Sequence, residues 1–269
     1  YYGVLEAGGV LLPLNFRLAP QELAYILNDS GAKVLFLQKE FLEVVNSFRD
    51  SLPNAQTFFL LDGQPGAHWL STKNYEDSLA NATPHRCDVM ECDENCLAEL
   101  FYTSGTSANP KGVMLTHRNV YLHALSVSLR FNTNADSVEL HTIPLFHANG
   151  WGAAHSVTFG GGRHVMISRF VPNDVFRLIE RERVRSLSLV PIMALALVNC
   201  PDRPKYDLSS LEWISIGGAA SSPTLVREVE NRLGCTCFSG YGLTETAPVL
   251  STSQLKPGLQ PEGDQCFVW

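Results

Sequence analysis

Short apolar runs alternate with amphipathic stretches along most of this sequence, and that alternation leaves few folds open. Residues 33–37 and 57–61 read as strands on either side of a helical stretch at 39–48. Further strands follow at 138–142, 163–167, 186–190 and 211–216. The helices between them carry start and stop signals. Pro20 opens a segment with Leu23, Ile26 and Leu27 at helical spacing, which Gly31 closes. Pro172 opens another with Val175, Leu178 and Ile179 inward, and 191–198 is rich in Ala and Leu. Ser222 caps a third, with Pro223 in its first turn, Leu225, Val229 and Leu233 at four-residue steps, and Gly234 as its stop. Strands joined through helices must run parallel, so the expected fold is α/β, with doubly wound, mostly parallel sheets and flanking helices. Such sheets hold ligands at the carboxyl ends of their strands.

One stretch supplies the chemistry for that position. The apolar run 96–101 leads into Tyr102-Thr103-Ser104-Gly105-Thr106-Ser107-Ala108-Asn109-Pro110-Lys111-Gly112-Val113, and a helix candidate follows at 116–129. Backbone N–H groups of a glycine-rich turn converge on one concavity, and Ser and Thr hydroxyls add donors. Lys111 adds a full positive charge, so the stretch reads as a phosphate-holding loop. An ordinary polar surface loop would need neither the strand nor the lysine. A Walker loop places its lysine after the second glycine and follows it with Ser or Thr. Here Lys111 precedes Gly112, which excludes that reading.

Three later stretches fit strand ends of the same sheet. Gly217-Gly218-Ala219-Ala220 follows the strand at 211–216, where small residues admit either a flat ligand or close helix packing. Tyr241-Gly242-Leu243-Thr244-Glu245 offers an aromatic face, a hydroxyl and a carboxylate, as a nucleotide with its metal requires. Pro144 to Gly152 places His147, Asn149 and Trp151 at a strand-to-helix junction, where core packing is the competing explanation. Gly160-Gly161-Gly162 matches no phosphate motif and is taken as a turn.

The order of the 102–113 stretch resembles the phosphate loop of the adenylate-forming superfamily, which includes acyl-CoA synthetases, luciferases and peptide-synthetase adenylation domains. Ala108 stands where the usual pattern has glycine. Residues 5–15 are similar to the family's early AG and PLN scaffold element, and 146–151 to the FH and GW element of fatty acyl-CoA synthetases. The resemblance implies ATP contacts from Thr103, Ser104, Gly105, Thr106, Ser107, Lys111, Gly217, Gly218, Ala219, Tyr241, Gly242 and Thr244. Tyr241 would stack on adenine, Thr244 would contact the α-phosphate, and Glu245 would help hold Mg²⁺. Lys111, Thr244 and Glu245 would be catalytic, while His147, Trp151 and Gly218 would shape the acyl site. Adenylation domains that select amino acids place an aspartate in the acyl region. No acidic residue occurs between Glu139 and Asp174, so a plain carboxylic acid is expected, and the resemblance to fatty acyl-CoA synthetases implies a medium- or long-chain fatty acid.

The implied reaction joins the acid to ATP, giving acyl-AMP and pyrophosphate, and then passes the acyl group to the thiol of coenzyme A. The runner-up reading is a non-catalytic remnant that keeps the fold as a binding module. The family carries further motifs and a mobile C-terminal domain that 247–269 does not contain, and Tyr1 is not a start methionine. A fragment of the large N-terminal domain is therefore expected, divided roughly into a first βα part (1–85), a linker (86–95), a phosphate-loop and adenine part (96–256) and an irregular tail (257–269).

A net charge of −7 argues against nucleic acid, which needs a clustered basic face. No apolar run approaches the roughly 20 residues that span a bilayer. Seven cysteines without metal spacing read as reduced thiols in the cytoplasm, with Cys235 and Cys237 on one face of a strand. A homodimer is compatible with all of this.

Overall fold

The computed structural model describes residues 1–63, 72–83, 92–104, 109–254 and 258. The chain forms two compact units, Tyr1–Met114 and Leu115–Trp269.

The first unit opens with α1 (Tyr2–Glu6) and α2 (Pro20–Asp29). Strands β1 (Val34–Leu37), β2 (Thr57–Leu60) and β3 (Thr72–Asn74) form a parallel sheet in that order. Helices α3 (Leu42–Asn46) and α4 (Tyr75–Ala80) accompany it. Leu23 and Leu27 of α2 meet Leu42, Val45 and Phe48 over Leu37 and Leu60 in a buried cluster. The polar stretch 63–94 reads in sequence as a linker with one helix near 75–79. The helix is present as α4, but the residues before it add a third strand. Thr72, Lys73 and Asn74 escape an apolar-run criterion because β3 is a short edge strand, where polar side chains also discourage further pairing. Most of the expected 86–95 linker lies outside the described residues.

Strands β4 (Leu97–Thr103) and β5 (Lys111–Thr116) pair as a separate two-stranded sheet. The phosphate-loop stretch thus begins on one strand and ends on another, with the expected helix following β5. Gly112 and the largely exposed β5 side chains hid that strand from pattern reading.

The second unit is a six-stranded sheet in the order β11-β10-β9-β8-β6-β7. Its strands are β6 (Val138–His141), β7 (Arg163–Met166), β8 (Ser186–Leu189), β9 (Trp213–Ile216), β10 (Thr236–Gly242) and β11 (Val249–Thr252). All pairs are parallel except β10 with β11. The helices are α5 (His117–Phe131), the single turn α6 (Ala148–Trp151), α7 (Ala153–Gly160), α8 (Pro172–Glu182), α9 (Pro191–Val198) and α10 (Pro223–Leu233). The chain steps from β6 outward to β7 and then returns across β6 to β8. Right-handed crossovers therefore place α7 on one face and α8, α9 and α10 on the other. The core agrees: Val175, Phe176 and Ile179 of α8, Ala194 and Leu197 of α9, and Val226 and Val229 of α10 pack on Leu140, Leu187, Leu189, Ile214 and Ile216.

On the opposite sheet face Trp213 and Phe238 stack with Phe131 of α5, and the other alternate residues include the polar Glu139, His141, His164, Ser186, Ser188 and Ser215. These groups satisfy one another. Ser186 Oγ donates to the buried Glu139 carboxylate, His141 Nε2 and His164 Nδ1 share a hydrogen at 2.8 Å, and Ser188 and Ser215 hydroxyls bond at 2.7 Å. His164 Nε2 continues to Thr158 Oγ1 of α7 at 2.9 Å. Burial pushes Glu139 up to about 7, against the weaker opposing effect of Ser186. Burial, helped by neighbouring histidines, pushes His123 and His141 down to about 4.

The signs are opposite. Glu139 folds preferentially protonated, so its contribution is full below its ordinary value and lost as pH rises through about 7. The histidines fold preferentially neutral, so theirs is lost as pH falls from 6.5 through about 4. Glu139→Gln keeps an acceptor for Ser186 and removes the ionisation. It is expected to raise the melting midpoint over the wild type by several degrees at pH 8 and by much less at pH 5, for a gain of about 3 kcal/mol at most. Equal shifts at the two pH values would contradict the assignment.

Candidate active site

Strand order reverses between β6 and β8, and in open α/β sheets the crevice at the carboxyl ends beside such a reversal is where ligands bind. The residues leaving the strands there converge. Thr142, just past β6, donates its hydroxyl to the Ser188 carbonyl of β8, tying the two strand ends together. Ala148, Asn149, Gly150, Trp151 and Gly152 then all have positive φ, which makes α6 a left-handed turn. Its amides are still paired: Asn149 donates to Leu145 O, Trp151 to His147 O and Gly152 to Ala148 O. Left-handed backbone costs an L-residue about 1–2 kcal/mol, so Ala148 and Trp151 are held there by their surroundings.

The turn delivers the Trp151 indole onto the glycines that end β9. A methyl group on Gly217 would stand 3.2 Å from Trp151 Cη2 and Cζ3, and one on Gly218 would stand 3.3 Å from Cζ2. Gly218 also has φ +75° and lies beside Val190, the residue after β8. The glycine pair therefore serves close approach and a left-handed bend at once. Ala219 is exposed next to it. His147 is exposed just before the left-handed turn, its ring 4.6 Å from that of Phe146.

Beside β9, β10 ends in Gly240, Tyr241 and Gly242. A register shift between Tyr241 and Gly242 marks a bulge against β11, a device that re-aims side chains near sites. Tyr241 and Glu245 are exposed and Thr244 is half-buried in the 3₁₀ turn Thr244–Thr246. Leu243 N donates to Pro248 O at 3.1 Å and Thr246 Oγ1 accepts from Leu243 N at 3.1 Å, which closes the turn. Among the described residues Glu245 has no ion-pair partner.

In the first unit, Thr103 ends β4, Ser104 follows it, and the exposed Lys111 begins the paired β5. Gly112 leaves room for Tyr102, whose ring atom Cζ would lie 3.2 Å from a methyl there; the Tyr102 hydroxyl donates to Asp29 Oδ2 at 2.6 Å. Gly105, Thr106, Ser107 and Ala108 lie outside the described residues.

The family model for AMP-binding enzymes matches residues 1–266. This chain belongs to the AMP-binding enzyme family. It is 33% identical over 263 residues to a long-chain-fatty-acid–CoA ligase of Thermus thermophilus, covering 97% of this chain and 47% of that protein. It is 32% identical over 251 residues to 4-hydroxybutyrate–CoA ligase 2 of Metallosphaera sedula, covering 91% and 45%. The fold matches the anthranilate–CoA ligase AuaEII, solved with anthranoyl-AMP, at a TM-score of 0.89 and 23% identity over 97% of this chain and 50% of that one. A Mycobacterium tuberculosis fatty acyl-CoA synthetase matches at a TM-score of 0.81 and 25% identity, covering 91% and 46%. The chain spans about half the length of the relatives it matches. No helix among the described residues is long and apolar enough to cross a membrane.

Sequence reasoning missed His123, which lies in the middle of α5 with no motif around it, and the left-handed course of 148–152. Gly150 and Gly152 were the only signals of that turn.

Proposed function

We propose that this chain holds the nucleotide- and acid-binding residues of an ATP-dependent acid–thiol ligase acting on a medium- or long-chain fatty acid. The observation that carries the reading is the Trp151 indole seated on Gly217 and Gly218 at the strand-order reversal, with the Tyr241–Glu245 turn at the end of the adjoining strand. The apolar Trp151 and Val190 suit an acyl chain, and the exposed Tyr241 ring suits adenine. Thr103, Ser104, Gly105, Thr106, Ser107 and Lys111 are assigned to the phosphates.

The acid's carboxylate attacks the α-phosphorus of ATP, releasing pyrophosphate, and the thiol of coenzyme A then displaces AMP from the acyl carbon. Negative charge gathers on the departing pyrophosphate, where Lys111 and the loop donors lower the barrier; Thr244 donates to the α-phosphate. Mg²⁺ commonly takes one or two carboxylates and completes its shell with phosphate oxygens and water. Glu245, exposed and without an ion pair among the described residues, fits that role. When bound, the ion would neutralise phosphate charge. No side-chain nucleophile is required. The free thiols among the described cysteines support a cytoplasmic setting.

Lys111→Ala and Glu245→Ala are each expected to weaken Mg·ATP binding at least tenfold, measured by calorimetry, with unchanged melting of the free protein. Affinities equal to wild type for both variants would remove the site assignment. A wild-type protein whose melt ignores both Mg·ATP and a non-hydrolysable dodecanoyl-adenylate mimic would point instead to a remnant that keeps only the fold.

A further inference from the structure

The two turns of the candidate site, one bearing Trp151 and the other bearing Tyr241 to Glu245, are both held by the imidazole of His123. The residue sits on α5, is buried, and faces Gly152 so closely that a methyl group there would stand 2.2 Å from its Cε1 and 2.7 Å from its Nδ1. The ring therefore presents its Cε1 edge to the backbone that immediately follows Trp151. The adjoining ring nitrogen reaches β11, where Nε2 accepts a hydrogen bond from the Val249 amide at 3.0 Å. Val249 pairs with Gly242, and the preceding Pro248 carbonyl accepts from Leu243 N. An Nε2 that accepts must carry no hydrogen, so the ring is the neutral Nδ1–H tautomer.

We infer that His123 is a positioning residue that couples acid binding beside Trp151 to nucleotide binding on the Tyr241–Glu245 turn. The inference rests on the proposed function for the identity of the two ligands. Gly152 is one peptide bond from Trp151, and Val249 is one strand pairing from Gly242. A ligand that fixes the left-handed turn fixes the His123 ring, and the ring fixes the hairpin that carries Glu245. The order it imposes on the second turn need not be supplied again by the nucleotide, and linkage makes the effect mutual. Burial first and the nearby His155 of α7 second disfavour a charged His123, and no catalytic step is assigned to either histidine.

The test measures Mg·ATP affinity by calorimetry with and without saturating decanoate, in wild type, His123→Leu and His123→Gln. Leucine fills space without an acceptor; glutamine restores one. In wild type, decanoate is expected to tighten Mg·ATP roughly fivefold or more. In His123→Leu the ratio falls to near one while each ligand alone binds within about threefold of wild type, and His123→Gln regains part of the ratio. Amide exchange supplies the readout that does not need ligand. The Val249 amide is expected to exchange faster in His123→Leu and to be protected again in His123→Gln.

A wild type that binds neither ligand overturns the proposed function and the coupling with it. A wild type that binds both with a ratio of one overturns the coupling alone, as does a leucine variant that keeps the wild-type ratio. Should His123→Leu fail to melt cooperatively, His123→Gln decides: a protected Val249 amide with the ratio lost, or a lost protection with the ratio kept, refutes the hydrogen-bond link, and ratio and protection changing together supports it.

Discussion

Gly242→Ala is expected to abolish measurable nucleotide binding while leaving α8, α9 and α10 packed on their sheet. A methyl group at this position would stand 2.1 Å from the Pro248 carbonyl oxygen and 2.8 Å from its carbon. Ordinary contact needs more than an ångström of additional separation, and both obstructing atoms are backbone, so no rotamer change relieves the overlap. The Pro248 oxygen is also the acceptor for Leu243 N and for Thr246 Oγ1. The hairpin must open, and these bonds are lost together with the Gly242–Val249 pairing. Overpacking and broken hydrogen bonds together cost about 2–4 kcal/mol locally. A displacement of even 1 Å in the Tyr241–Glu245 turn is expected to lower Mg·ATP affinity by roughly a hundredfold or more. Gly240→Ala is the control: a methyl there meets nothing within 4 Å, so affinity is expected to stay within a few-fold of wild type. If both variants bind Mg·ATP normally, the turn is not the nucleotide site.

Gly152→Ala should lower stability by a comparable amount for two separable reasons. The residue has φ +79°, which alanine adopts at a cost of about 1–2 kcal/mol, and its methyl group would overlap the His123 ring. Because His123 is buried and tied to Val249 N, the ring cannot swing away freely. A total loss of about 2–4 kcal/mol is expected, visible as a lower midpoint in thermal or denaturant unfolding. A double-mutant cycle with His123→Ala separates the two causes. Truncating the ring makes room for the methyl, so the double variant should be less destabilised than the sum of the singles, leaving the backbone cost. Strict additivity would mean that ring and glycine do not meet as the structure shows.

Much of the second unit was readable in sequence because its signals are local. Pro191–Val198 is the helix that proline and the Ala/Leu run announce, and α10 starts at Pro223 under a Ser222 hydroxyl that accepts from Leu225 N. Gly234 stops it at φ +74°. Cys235, just before β10, and Cys237 within it are both buried in the same core, as their spacing requires. Strands β3 and β5 were not readable. One is a polar edge strand and the other mostly exposed, and neither carries the apolar run that period counting detects. Trp151 and the Gly217-Gly218 pair were separately legible as candidates; their contact was not. Sixty-odd residues of chain separate them, and only the reversal of strand order beside β6 brings the end of that strand near the end of β9.

The class of fold, the positions of most helices and the residue types that an anionic, aromatic-bearing ligand needs are legible in the residues alone, because propensity, capping and alternation act within a few residues. Packing between distant segments makes 148–152 run left-handed and buries Glu139 beside Ser186, where its carboxyl is pushed up to about 7. It alone also placed the His123 ring between Gly152 and Val249. Those features follow from packing between segments distant in the chain. Burial sets the ionisation of Glu139, and close backbone approach sets the need for glycine at 152 and 242, neither of which any local pattern of residues encodes.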